Sequence, residues 1–379
     1  MNGGTGHYIK KTTICVLIMF TNEEHCILET IKSTLPYAYE YILLDNNSTD
    51  NTVKVCEEFL KDNNIKYQVF TSKWVNFGYN CSLLYELGHK HSKADYLWQI
   101  DADDLVHGKM NMDYLWADQY LLKFGGNLYY ERHQLFKNDT LYRHYLSIHG
   151  YVTTVPKFLP KSSQTLEGDY YIECRHVGSR HHIDMKTKFL NDAKMLEEDL
   201  KTNLDIADRN RCYFYLAQSY SCAGLYQEAI TIYKKRVYLQ GWHEEVRHSR
   251  LQIARCYFEL KDYTNVIKFY LKCFEKHPYV AEPLYELGLF YFENKLYLNA
   301  KRCFKQASQI PYPSHLKLFL SKNIYDYSAK LMLACCYYYL NKYNKSYDIN
   351  MELLKLNLSD DIRKIIEKNN QFNCIKTIV

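Results

Sequence analysis

The sequence predicts an α/β domain built on a mostly parallel sheet, followed by an all-α solenoid. Three observations carry that prediction. Short apolar runs alternate with amphipathic helical patterns over roughly the first 100 residues, and polar residues follow each run. After residue 210 a frame of small and tyrosine residues recurs at the spacing of helix pairs. A chain of 379 residues is too long for one ordinary core, so two domains are expected. The α/β domain is placed at 1–185, a linking helix at 186–209, the repeats at 210–358 and a tail at 359–379.

The first run, residues 12–20, is almost continuously apolar, as in a central strand buried on both faces. Thr21-Asn22-Glu23-Glu24 interrupts it with a helix-start pattern, and Ile27, Leu28, Ile31 and Leu35 then recur at helical spacing up to Pro36. The unit repeats. Residues 41–44 form a second strand ending at Asp45, with a helix through Val53, Cys56, Phe59 and Leu60. Residues 67–70 form a third, with a helix over 81–89. The fourth strand, 96–100, runs into Asp101-Ala102-Asp103-Asp104. Clustered carboxylates at a strand's carboxyl end suit a hard divalent ion in the crevice where open α/β sheets bind ligands. Beyond Met110 the pattern loosens, with strands expected over 128–134, 141–148 and 170–174 and an amphipathic helix from Lys186 to Leu204.

The second half carries four segments in one frame. They are Leu216, Ala217, Tyr220, Ala229, Tyr233; then Ile253, Ala254, Tyr257, Val266, Tyr270; then Leu287, Gly288, Tyr291, Ala300, Phe304; then Leu333, Ala334, Tyr337, Ser346. This pattern resembles tetratricopeptide repeats, in which small and aromatic positions pack one helix on the next. An insertion at 313–325 precedes the fourth segment.

Composition excludes several classes. Hydrophobic residues at 47% and charged residues at 24% describe a globular chain rather than a disordered one. The net charge of +5 comes without a Lys/Arg block, so nucleic acid is not the expected partner. Thirteen cysteines without a CxxC pair fit a reducing, cytoplasmic setting, and the polar, Gly-rich start does not read as a signal peptide. The longest apolar run is far too short for a transmembrane segment.

Residues 12–24, the run Leu43-Leu44-Asp45-Asn46-Asn47-Ser48-Thr49-Asp50-Asn51-Thr52, Asn76-Phe77-Gly78 with Asn80, and Asp101-Ala102-Asp103-Asp104 resemble the ordered motifs of family 2 glycosyltransferases with the GT-A fold. Residues 215–220 and 241–245 resemble members that carry repeats after the catalytic domain. The resemblance implies a nucleotide-sugar donor such as a UDP-sugar, Mn2+ or Mg2+, and inversion at the anomeric carbon. By match, Asp45 contacts uracil or ribose, Asp101 the ribose or metal, and Asp103 the metal bridging both phosphates. Thr21, Glu23 and Ala102 belong to the same donor-binding set. His176 stands where a third metal ligand often does, or is an ordinary polar loop residue. Asn76 and Asn80 contact the donor or cap the following helix.

Two departures from the pattern matter. Cys81 stands where many relatives have Arg, and His149-Gly150 lacks the carboxylate of the His-Glu pair found in the repeat-bearing subgroup. The general base is therefore expected from the loop before the last strand, at Asp169 ahead of Glu167. The acceptor is expected to be a glycan or glycoprotein, and the repeats to dock a protein partner or form a homodimer rather than bind acceptor. The competing reading is a repeat scaffold with an inactive transferase-like domain. A nucleotidyltransferase is a poor third, because no Gly-rich phosphate loop with a following Lys stands near the first strand.

Overall fold

The computed structural model describes residues 11–125, 130–175, 177–178, 184–316 and 318–378. The chain divides into two units, Met1–Leu204 and Asp205–Val379.

In the first unit, β1 (Ile14–Phe20) is buried along its whole length, as is β2 (Glu40–Asp45). Both pair in parallel, β1 also with β4 (Tyr96–Gln99) and β2 with β3 (Lys66–Thr71). The helices α1 (Ile27–Thr34), α2 (Thr52–Asp62) and α3 (Phe77–His91) connect them. Burial on both faces explains why β1, β2 and β4 read as largely apolar runs rather than alternating ones. One cluster contains Val16, Ile18 and Trp98, the other Cys15, Leu17 and Leu97, so successive residues of β1 and β4 feed opposite layers.

The sheet continues through β7 (Tyr130–Lys137), β6 (Gln119–Gly125), β11 (Gly168–Cys174) and β5 (Asp104–Met110), in the order β3-β2-β1-β4-β7-β6-β11-β5. β10 (Ser163–Thr165) pairs with β6, while β8 (Tyr142–Tyr145) and β9 (Tyr151–Thr154) form a separate hairpin. Several expectations shift here. Ala102 and Asp103 form a turn, Asp104 already opens β5, and β6 was not legible as a strand. The single strand expected over 141–148 is shortened to β8.

The long helix is α4 (Met185–Leu200), which lies in the first unit: Asp199 accepts from the Ser147 N–H and hydroxyl at 2.8 and 2.6 Å. A linking helix reaching 209 does not form as one piece. The chain breaks after Lys201, and Asp205 caps a new helix, α5 (Ile206–Cys222), by accepting from Asp208 N–H at 2.8 Å.

The second unit pairs α5 with α6 (Tyr226–Leu239), α7 (His243–Glu259) with α8 (Tyr263–Lys276), α9 (Glu282–Glu293) with α10 (Tyr297–Ala307), and α11 (Ala329–Tyr339) with α12 (Tyr343–Leu353). Ala217, Ala229, Ala254, Ala300 and Ala334 are completely buried, which lets the helices approach closely. The expected tail instead forms α13 (Asp360–Ile378). No described helix is long and apolar enough to cross a membrane.

Candidate functional site

The four parallel strands β3, β2, β1 and β4 end on one edge of the sheet, and the loops there are laced to one another. Asn22, in the left-handed region at φ 56°, accepts from the Thr49 N–H at 2.7 Å and donates its own N–H to Ser48 at 3.0 Å. Glu23 donates its N–H to Thr52 at 2.8 Å, and Thr21 donates its hydroxyl to the Asn46 carbonyl. The loops after β1 and β2 are therefore one rigid surface. Asp45, almost buried, accepts from the Ser48 N–H at 2.8 Å, which orients its carboxylate at that edge.

Asn80 is fully buried and its amide is spent on bracing. Its oxygen accepts from Val75 N–H at 2.9 Å, and its nitrogen donates to the Asn46 side chain and the Lys73 carbonyl at 2.7 and 3.0 Å. Asn76 caps α3, accepting from Tyr79 N–H at 2.8 Å. Of the two roles open for this pair, Asn76 shows the capping one, whereas Asn80, inside α3, braces Asn46, Lys73 and Val75. Asn80 spends three of its four hydrogen-bonding positions on these braces.

The acidic cluster divides into members with different fates. Asp101 accepts from Gln99 Nε2 at 2.8 Å and from Arg132 at 3.4 Å. Asp103 accepts from the Gly178 N–H at 3.0 Å, and its carbonyl accepts from Arg175 Nε at 2.9 Å. Asp104 points into the protein. It is 2% exposed, its Oδ2 has no hydrogen-bond partner, and the nearest cation is Arg132 at 3.6 Å. Burial and the neighbouring Asp101 push its carboxyl up to about 8, with Arg132 opposing. The backbone of the turn is pinned from below, where the Thr30 hydroxyl donates to the Ala102 and Asp104 carbonyls at 2.7 and 2.8 Å. Asp103 and Glu23 meet at Gly178, where a Cβ would lie 3.2 Å from an oxygen of each. A side chain at 178 would crowd both carboxylates.

Arg132 is the functional residue that sequence reasoning missed. It arrives from β7, packs its guanidinium 4.3 Å over the Phe124 ring, and faces Asp101 and Asp104. Burial works against its charge, but the two carboxylates outweigh that and hold it firmly protonated. Cys81 is buried, and its thiol is pushed up by desolvation and by Asp101. Arg132 brings a cation to Asp101 from a distant strand.

The expected base residues lie elsewhere. β5 and β11 run antiparallel, with Cys174 opposite Asp104 and Asp169 opposite Lys109. Asp169 is five residues down the strand from the acidic end, about 17 Å at the usual rise, and Glu167 is farther still. Neither reaches the cluster. The carboxylate of β11 at the correct end is Glu173, opposite Leu105, which bonds His107 Nε2 at 2.7 Å. A carboxylate at position 150 is excluded by packing, since a Cβ there would lie 1.6 Å from the Tyr145 carbonyl oxygen. His176, the expected third metal ligand, lies outside the described residues.

Comparison with known families fits this arrangement. Residues 15–110 match the model of glycosyl transferase family 2, and residues 248–275 and 281–311 match a tetratricopeptide repeat model. The first unit thus contains a segment matching glycosyl transferase family 2, and the second contains segments matching tetratricopeptide repeats. No curated protein sequence matches it. Among solved structures it is similar to S. aureus TarS 1-349 in complex with UDP-GlcNAc, with 14% identity, 68% of this chain and 90% of that chain covered, and a TM-score of 0.40. It is also similar to MamA, with 18% identity, 46% and 94% covered and a TM-score of 0.34. A third is YrrB, titled a TPR protein with an unusual peptide-binding site, with 11% identity, 48% and 84% covered and a TM-score of 0.34.

Proposed function

We propose that this protein transfers a sugar from a UDP-linked donor to a glycan or protein acceptor, with inversion, and that it uses Mn2+ or Mg2+. The observation that supports this reading is the alignment of Asp45, Asp101 and Asp103 along the carboxyl edge of adjacent parallel strands, inside or bordering the matched family segment. Asp45, oriented by Ser48, offers its free oxygen to uracil or ribose. Thr21, Glu23 and Ala102 shape the nucleotide's bed, and Asp101, fixed by Gln99 and Arg132, meets the ribose.

Asp103 has one oxygen held by Gly178 and the other available to a cation, and a carboxylate oxygen suits a hard divalent ion. When bound, the ion supplies positive charge to the departing diphosphate. Arg132 adds a second positive group at the same edge. We assign proton acceptance to Glu173, paired with His107 near the Asp104 end of the sheet. The repeats dock a protein partner or a second copy of the chain.

The test uses a panel of UDP- and GDP-sugars, with and without manganese, following release of nucleoside diphosphate by slow donor hydrolysis. Metal-dependent UDP release that disappears in Asp103→Ala is the expected result. Absence of donor binding by calorimetry at millimolar concentration would overturn the reading and favour the scaffold alternative.

A further inference from the structure

The loop after β1 brings together three different donor atoms that the transferase reading does not use as a set. Glu23, His25 and Cys26 each place one ligand atom within 4.8 Å of the others. The Cys26 sulfur lies 3.3 Å from Glu23 Oε2, and His25 Nε2 lies 3.9 Å from the same oxygen. A tetrahedral zinc, with a sulfur bond of about 2.3 Å and nitrogen or oxygen bonds of about 2.0 Å, holds such donors about 3.3–3.6 Å apart. The two spacings to Glu23 lie at or within a few tenths of an ångström of that range, and the third is under 4.8 Å, so a small movement of the exposed His25 closes the site.

We propose that Glu23, His25 and Cys26 form a binding site for a thiophilic divalent cation of the zinc type, distinct in chemistry from the hard-cation position at Asp103. The donor set decides the class. Thiolate and imidazole select zinc or cobalt over magnesium, for which all-oxygen ligands are preferred. Three protein donors leave a fourth tetrahedral position open to water or to a ligand arriving at the strand edge.

The fold prepares this site without strain on the chain. Cys26 is almost buried at the start of α1, and its thiol donates to Glu23 Oε2. Glu23 is itself fixed through its N–H on Thr52. His25 is half exposed and donates its Nε2 to the Val177 carbonyl at 2.9 Å. A cation entering from solvent meets His25 first. Binding then replaces two proton-mediated contacts with metal bonds: the Cys26 proton leaves to solvent as the sulfur binds, and His25 binds through Nε2 with its proton moved to Nδ1. One net proton is released per ion, and the tether from His25 to Val177 is given up. Glu23 also stands beside Asp103 at Gly178, so a cation held there bears directly on the edge that carries the acidic cluster.

The test needs no transfer activity and so stands or falls apart from the proposed reaction. Full-length metal-free protein is titrated with Co2+, recording the near-ultraviolet thiolate-to-cobalt charge-transfer band and the visible bands of tetrahedral cobalt. The expected result is one equivalent bound with both signatures, displaced by one equivalent of Zn2+. In Cys26→Ser the charge-transfer band is lost while circular dichroism is unchanged. In His25→Ala, at an exposed position that leaves folding intact, affinity falls at least tenfold. A Cys222→Ser, Cys374→Ser double variant, which removes the exposed thiols, keeps the band. A wild-type protein without the charge-transfer band, or a band of wild-type intensity in Cys26→Ser, overturns the proposal.

Discussion

Asp104 makes a sharp demand on the pH dependence of stability. Its carboxyl is 2% exposed, one oxygen is unsatisfied, and its pKa stands at about 8 instead of the ordinary 3.8. Between those values the folded protein keeps a proton that the unfolded chain has already released. Stability from this group is therefore fully present below the unfolded value and is lost as pH rises toward the folded one. Stability falls with each pH unit inside the window, by on the order of 3 kcal/mol between pH 5 and pH 7.

Replacing the carboxyl by an amide, Asp104→Asn, keeps the shape and deletes the titration. The Thr30 bonds go to backbone carbonyls, so they survive. Urea unfolding followed by tryptophan fluorescence is the assay, because Trp74, Trp98 and Trp116 all lie in the first unit. The expected outcome is a wild-type stability that falls faster with pH than that of the variant, by about one proton's slope. Equal slopes in the two proteins would refute the burial argument and mean that Arg132 keeps Asp104 ionised throughout.

Two further outcomes follow from the same geometry. Glu173→Gln should lower transfer at least 100-fold with donor binding intact, whereas Asp169→Asn should leave transfer within about twofold, measured as initial rates at saturating donor. The reverse order would show that the register of β11 misleads about the base. In the second unit, Arg236 is completely buried and bonds Glu245 at 2.9 and 3.2 Å, with Arg211 3.7 Å from the other oxygen. Arg236→Met should cost about 3 kcal/mol by denaturant unfolding, and adding Glu245→Leu should restore part of it, because the single change strands a buried carboxylate.

Much of this molecule was legible because burial leaves a mark on composition. Strands covered on both faces must be apolar throughout, so β1, β2 and β4 stood out, and the polar residues that end them marked the edge of the sheet. The repeats were legible for the same reason, since close helix packing demands alanine or glycine at fixed places. Arg132 carried no such mark. It is one cation in a half-exposed strand, and what matters is that β7 pairs antiparallel with β4 and brings it to Asp101. Asp169 was chosen by its proximity in the chain to the last strand, which says nothing about which end of that strand faces the acidic cluster.

The sequence by itself determined the order of strands and helices, the carboxylates at the strand ends and the repeat frame, because each is written in local pattern and period. Tertiary structure alone decided which carboxylates are open and which is sealed, that Arg132 reaches Asp101, and that Glu173 rather than Asp169 stands at the acidic end. Those facts depend on strand pairing between distant segments, where one step in register moves a side chain to the opposite face and five steps carry it out of reach.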